Sequence, residues 1–121
     1  MKILDSNILI YSYSEAYKYL RELIWSENVF ASEISRLEVL GFHGMTKPEE
    51  EYFLDLFFIL KTHEIDRLVL DEAIQLRKSH KMRLGDSIVA ATALVPGLEI
   101  YTRNVADFVK VQGLKVINPI P

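Results

Sequence analysis

Five short segments read as strands, at 2–4, 29–31, 63–65, 99–102 and 115–117, and helical patterns fill the gaps between them. No other feature constrains the fold as much. Strands separated by helices must join through crossovers, which makes the sheet mostly parallel and the connections right-handed. The expected helices cover 15–26, 33–43, Pro48 to about Lys61, 67–80, 86–94 and 105–110. The first carries an apolar stripe of Tyr19, Leu20, Leu23 and Ile24. Ser32 is placed to cap the second; the third opens on Pro48 with Glu49, Glu50 and Glu51 in the turn where the helix dipole favours acids. Pro96-Gly97 ends the helix over 86–94. Ligands of open parallel sheets bind beyond the carboxyl ends of the strands. Asp5, Ser32 and Thr102 stand at such ends.

Size and composition narrow the class. The chain has 121 residues, the scale of one domain spanning 1–121, and 50% of them are hydrophobic. With no Cys, structural disulfides and Cys-based zinc sites are excluded. No apolar run reaches the length of a membrane span, so no membrane contact is expected. MKILDSN lacks the long apolar stretch and cleavage site of a secretory signal, and a cytoplasmic location is the default expectation. A net charge of −3 argues against broad coating of nucleic acid but leaves room for a local basic patch.

Three acids stand out from this frame. Asp5 interrupts the apolar run that begins with Ile3-Leu4 and is followed by Ser6 and Asn7; all three are good helix caps, so alone the trio reads as a helix start. In the helix EISRLEVLGFHG, Ile34, Leu37, Gly41 and Phe42 surround Glu38 at spacings of three and four, which places Glu38 on an apolar face and leaves Ser35 and Arg36 on the solvated one. Against that stands a half-exposed surface Glu, because Val39 and Leu40 make the helix apolar nearly all round. Asp86 follows Gly85 and opens DSIVAATAL, where an N-cap is the plain reading. Its stripe of Val89, Ala90 and Ala93 is small enough to press close to the sheet, which would bring Asp86 to the rim beside Asp5. Carboxylates meeting there would repel, and a divalent cation is the natural remedy. Oxygen ligands without Cys or a His cluster suit Mg²⁺ or Mn²⁺. Such an ion lowers the pKa of bound water and holds a phosphate oxygen, which points to phosphodiester hydrolysis.

The runs ILDSNILI, ASEISRLEVLG at 31–41, RLGDSIVAATAL at 83–94, and TRNVADF with GLKVINP over 102–119 resemble the PIN-domain family, in order and along nearly the whole chain. More narrowly they resemble VapC-type ribonuclease toxins of prokaryotic toxin–antitoxin pairs. The resemblance implies an α/β fold with a central parallel sheet of four to five strands flanked by helices, and a Mg²⁺- or Mn²⁺-dependent endoribonuclease. It implies one or two ions held by Asp5, Glu38 and Asp86. Asn104 stands where the family often has a fourth acid; it brings no charge, which weakens the case for a second ion, and Asp107 is the possible substitute. Ser6 and Thr102 are implied to support the acids. Water would attack phosphorus and the ribose 3′-oxygen would leave, giving a 5′-phosphate and a 3′-hydroxyl. The resemblance also implies an antitoxin partner and a homodimer.

Other signals are softer. Arg77, Lys78, His80, Lys81 and Arg83 precede Asp86, either as a track for RNA phosphates or as cations at a helix C-terminus. The dipole reading is preferred for Arg77 and Lys78, leaving Lys81 and Arg83, with Arg103, as RNA contacts. His43, His63 and His80 lack ligand spacing. Tyr11, Tyr13 and Tyr17 suit core packing better than base stacking. The run YFLDLFFIL at 52–60 is too apolar for one buried stripe; either neighbours bury it or partners do, with Trp25, Leu20 and Ile24 contributing to a groove. Besides the ribonuclease, a non-catalytic binding module on the same fold remains open because of Asn104. A phospho-acceptor receiver domain is disfavoured, since no paired acids follow the first strand.

Overall fold

The computed structural model describes all of residues 1–121. Five parallel strands form one sheet: β1 (Lys2–Leu4), β2 (Val29–Ser32), β3 (Lys61–His63), β4 (Glu99–Tyr101) and β5 (Lys115–Ile117). Their spatial order is β3-β2-β1-β4-β5. The chain builds outward from β1 to one edge and then crosses back to build β4 and β5 on the other side. The direction of winding therefore reverses between β1 and β4, where crossover helices leave to opposite faces and a crevice opens. Leu4 pairs with Tyr101 across that line. The next residues are Asp5 and Thr102.

Helices cover both faces: α1 (Ser6–Tyr11), α2 (Leu20–Trp25), α3 (Glu33–Leu40), α4 (Lys47–Ile59), α5 (Arg67–Ser79), α6 (Leu84–Leu94) and α7 (Val105–Phe108). Successive strand residues point to opposite faces, and β1 shows it directly. Ile3 enters a core with Val89, Ala90, Ala93, Ile100 and Phe108, whereas Leu4 enters one with Leu9, Val29, Val39, Phe53 and Leu56. The small stripe of α6 behaves as its composition demands: residues 87–93 are all buried, and α6 packs on α5 and on the middle of the sheet.

Several expected boundaries shift. The segment over 15–26 is one 3-10 turn (Glu15–Tyr17) followed by α2, because Arg21 donates to the carbonyls of Ser12 and Tyr13 and folds the segment back on the end of α1. The third strand lies at 61–63, not 63–65. It begins one residue after the α4 cap Leu60 and forms a half-exposed edge, so it carries no apolar signature. The helix expected to 43 ends at Leu40 with Gly41 as its cap. The 105–110 helix stops at Phe108. The helix expected from Asp86 begins two residues earlier, at Leu84. No helix is long and apolar enough to cross a membrane.

Candidate active site

Asp5 is both a cap and something more. Its backbone is extended and its Oδ1 accepts from the Ser6 N–H at 2.8 Å, so it starts α1 as its residue type suggests. Its Oδ2 accepts from Thr102 Oγ1, also at 2.8 Å, across the switch point. Only 4% of the residue is exposed. Burial raises its pKa to about 6; the two hydrogen bonds pull the other way, and the charges of Asp86 and Glu38 push it further up. Asp5 thus senses both other acids, although 33 and 81 residues separate them in sequence.

Glu38 reaches the cluster by a different face from the one periodicity indicates. The buried residues of α3 are Ser35 and Val39; Leu37 and Phe42 are 68% and 63% exposed, and Glu38 itself is exposed. The expectation of an apolar Glu38 face with Ser35 in solvent is corrected. The reason is tertiary: Ser6 Oγ stands 2.9 Å from Ser35 Oγ and 2.8 Å from Glu38 Oε1. Glu38 Oε1 accepts, so the single Ser6 proton goes to Glu38 and the Ser35 hydroxyl donates to Ser6. This small buried network needs Ser35 inside. Gly85 completes the seat, since a Cβ at that position would lie 2.9 Å from Glu38 Oε2.

Asp86 is no N-cap. It is the third residue of α6, whose cap position, Arg83, makes no side-chain bond. It is half-buried, and its pKa is raised first by that burial and then by the charge of Asp107, with a further push from Glu38; Arg83 and Lys110 oppose the rise. Asp86 and Asp107 line one cavity with Lys81, Met82, Arg83 and Lys110. Asn104 precedes α7 with its side chain uninvolved in capping, and its backbone N–H donates to Thr102 Oγ1. Of the two candidates for an extra ligand, Asp107 is the one that shares a cavity with a principal acid.

The acids are thus gathered at one sheet edge but not around one point. No three Asp, Glu or His side chains stand at metal-ligand spacing. Hydroxyls turn Asp5 towards Thr102 and Glu38 towards Ser6, which is where mutually repelling carboxylates find partners without a cation. In chemistry the donor set fits a hard divalent ion: carboxylate oxygens, no Cys, and three acids of which Asp5 and Asp86 are strained against ionising.

The remaining candidates divide. Arg103 flanks Asp5: its backbone N–H donates to Asn7 Oδ1, Asn7 Nδ2 reaches Thr102 Oγ1 at 3.4 Å, and its guanidinium lies 4.7 Å over the Tyr11 ring. Tyr11 in turn meets Tyr17 edge-on, whereas Tyr13 packs against Tyr52 and Phe53. Arg77 and Lys78 occupy the last turn of α5, as the dipole favours. His63 packs on Phe30 with its Nε2 buried and unpartnered. The apolar run of α4 is half absorbed: Phe53, Leu56 and Leu60 are core, while Leu54, Phe58 and Ile59 are exposed, Phe58 by 90%. Phe58, Ile59 and Leu56, with Ile24, the half-exposed Trp25, Arg21, Tyr52 and Asp55, wall a groove of about 340 Å³. Leu20, expected in that groove, is buried against Ile8 and Ile120. Ser35, Asn7, Gly85 and Lys110 are not proposed as site residues from sequence. Asn7 and Gly85 stand there only as neighbours of Asp5 and Asp86, and Ser35 is assigned to the solvated face.

Comparison with known proteins agrees with this fold. The model of the PIN domain family matches residues 2–114. No curated protein matches the chain. Among solved structures, a toxin–antitoxin complex from Klebsiella pneumoniae superposes with a TM-score of 0.80 at 28% identity, over 99% of this chain and 98% of that one. DNA-bound VapBC from Salmonella typhimurium gives 0.81 at 20% identity, over 97% and 96%. FitAcB from Neisseria gonorrhoeae gives 0.73 at 24% identity, over 98% of each chain.

Proposed function

Because this chain belongs to the PIN domain family, we propose that it is a metal-dependent endoribonuclease, the toxin of a type II toxin–antitoxin system. The observation that carries the reading is geometric: Ser6 bonds both Asp5 and Glu38, and Gly85, the neighbour of Asp86, lies against the Glu38 carboxylate, so three acids remote in sequence meet at the switch point of a parallel sheet. A VapC-type assignment agrees with the toxin–antitoxin complexes that share the fold.

Asp5, Glu38 and Asp86 would hold Mg²⁺ or Mn²⁺, one ion or two, with Asp107 or Asn104 as a further ligand. Bound there, the ion supplies a polarised phosphate and an acidified water. The chain's own residues do the rest. Thr102 and Ser6 orient the Asp5 and Glu38 carboxylates, and Ser35 holds Ser6. Burial keeps water from screening Asp5. Arg103, pinned by Asn7 and stacked on Tyr11, offers its free donors to an RNA phosphate; Lys81 and Arg83 do so beside Asp86. RNA as substrate places the work in the cytoplasm.

The groove between α2 and α4 takes the antitoxin. Its exposed Trp25 and Phe58 are aromatic anchors of the kind that dominate interfaces. A second copy of the chain is the other proposed partner of the apolar surface.

A cleavage assay on structured and single-stranded RNA, with Mg²⁺, Mn²⁺ and chelator, tests the reading. Cutting should need the cation and vanish in Asp5→Asn and Asp86→Asn. Cutting that survives both substitutions discards the site. The second reading, a non-catalytic binding module, draws on one observation, that no three acids stand at ligand spacing. Absence of cutting on every RNA, with retained partner binding, would favour it.

A further inference from the structure

A cavity of about 330 Å³ opens beside Asp86 and touches neither Asp5 nor Glu38. Three cations (Lys81, Arg83, Lys110) and two carboxylates (Asp86, Asp107) line it. None of the five is in a salt bridge; the ion pairs of this chain are elsewhere. Lys110 Nζ donates instead to the Lys81 carbonyl at 2.7 Å, which ties the turn after α7 to the loop before α6 and fixes one cation over the cavity. Two of its three ammonium hydrogens remain free, as do the donors of Lys81 and Arg83. Opposite charges that share a cavity wall without pairing leave a space that an anion fills on the cationic side. Three positive charges against two negative ones make that favourable.

We propose that this cavity seats a backbone phosphate of the RNA strand, the neighbour of the phosphate that is cut. The proposal rests on the nuclease reading and extends it. The reacting phosphate belongs between Asp5, Glu38 and Asp86. Since Asp86 borders both that site and the cavity, as does Asp107 if it adds a ligand, the two adjoin, and a strand engaged at one delivers its next phosphate to the other. Lys110 is then a binding residue for the substrate, and RNA must continue past the cut on the side of α7.

The test uses the full chain and an oligonucleotide that it cuts, in which one neutral methylphosphonate is walked along the backbone. In the wild type, one position next to the cut should raise KM about fivefold, the value of one exposed charge pair. In Lys110→Gln the same linkage should add nothing, while Lys110→Arg should restore the penalty. The salt dependence of binding should fall by about one counterion in Lys110→Gln. Should Lys110→Gln fail to fold, Arg83→Gln carries the same comparison. Equal penalties in wild type and variant would overturn the proposal. So would a loss of partner-protein binding with the RNA coupling unchanged, which would assign the cavity to an acidic protein segment. If no RNA is cut, the nuclease reading fails separately. The same pairs are then read as affinity in chelator, where coupling sustains the phosphate seat and additivity removes it.

Discussion

The acid edge at the switch point and the groove between α2 and α4 are both unfinished surfaces, but in opposite ways. At the acid edge Asp5 and Glu38 have their hydrogen-bond partners: Thr102 serves Asp5, Ser6 serves Glu38, and Ser35 holds Ser6. What is unresolved there is charge. In the groove there is little charge to resolve, and Tyr52 even shares a hydrogen bond with Ser12. What is unresolved there is wet apolar area, above all on Phe58 and Trp25. A surface can therefore be complete in one kind of interaction and frustrated in another. The kind left over matches the partner proposed for each: an ion and its phosphate at the first, a protein at the second.

If the two surfaces divide the work in this way, damage to one should leave the other intact. Asp86→Asn should cut RNA cleavage by about a thousandfold, the upper range for loss of one electrostatic stabiliser. Its affinity for an antitoxin peptide should stay unchanged in a titration. Equal damage to both activities would erase the division.

The second effect concerns stability. A carboxyl moved from 3.8 to about 6 by folding corresponds to roughly 3 kcal/mol. The sign follows from proton uptake. Between those values the folded chain holds a proton that the unfolded chain has lost, so stability falls as pH rises through this window and levels off above it. Urea unfolding in chelator should show the fall in the wild type and a much flatter profile in Asp5→Asn. That variant should therefore be at least as stable as the wild type at pH 7, yet inactive. A wild type that gains stability from this group on going from pH 4 to pH 6 would contradict the electrostatic strain.

Third, Phe58→Glu should weaken antitoxin binding about thirtyfold, the scale of a 2 kcal/mol anchor, with cleavage by the free chain unaltered. Fourth and smallest, Gly85→Ala pushes on the Glu38 carboxylate from 2.9 Å. Because the crowded atom ends a flexible side chain and Ala suits a helix better than Gly, thermal stability should hold or rise slightly. Cleavage should fall about tenfold, as for loss of an orienting neighbour. A clear loss of stability would mean that Gly85 serves packing and not the site.

Much of this was legible in the residues. The strand–helix alternation gives the parallel sheet, and MKILD places a carboxylate at the end of its first strand. The small stripe of α6 tells that Asp86 can come near. The excess of apolar residues at 52–60 exceeds one buried stripe, and Leu54, Phe58 and Ile59 are indeed left exposed. Glu38 is the instructive failure. Periodicity assigned it to the buried face, yet that face is Ser35 and Val39, because a three-residue polar network outweighs the local apolar pattern around Leu37 and Phe42.

The sequence by itself determined the class of fold, the candidate acids and the absence of Cys chemistry, because short apolar segments and residue types act locally and survive any arrangement of the chain. Tertiary structure alone decided that β1 and β4 would be neighbours, and so that Thr102 would meet Asp5. It also decided that Lys110 would lean over the loop before α6, and that the acids would share an edge without closing into a shell. Those outcomes depend on distances between groups far apart along the chain, set by strand order and by which hydroxyl or carbonyl each charged group finds first.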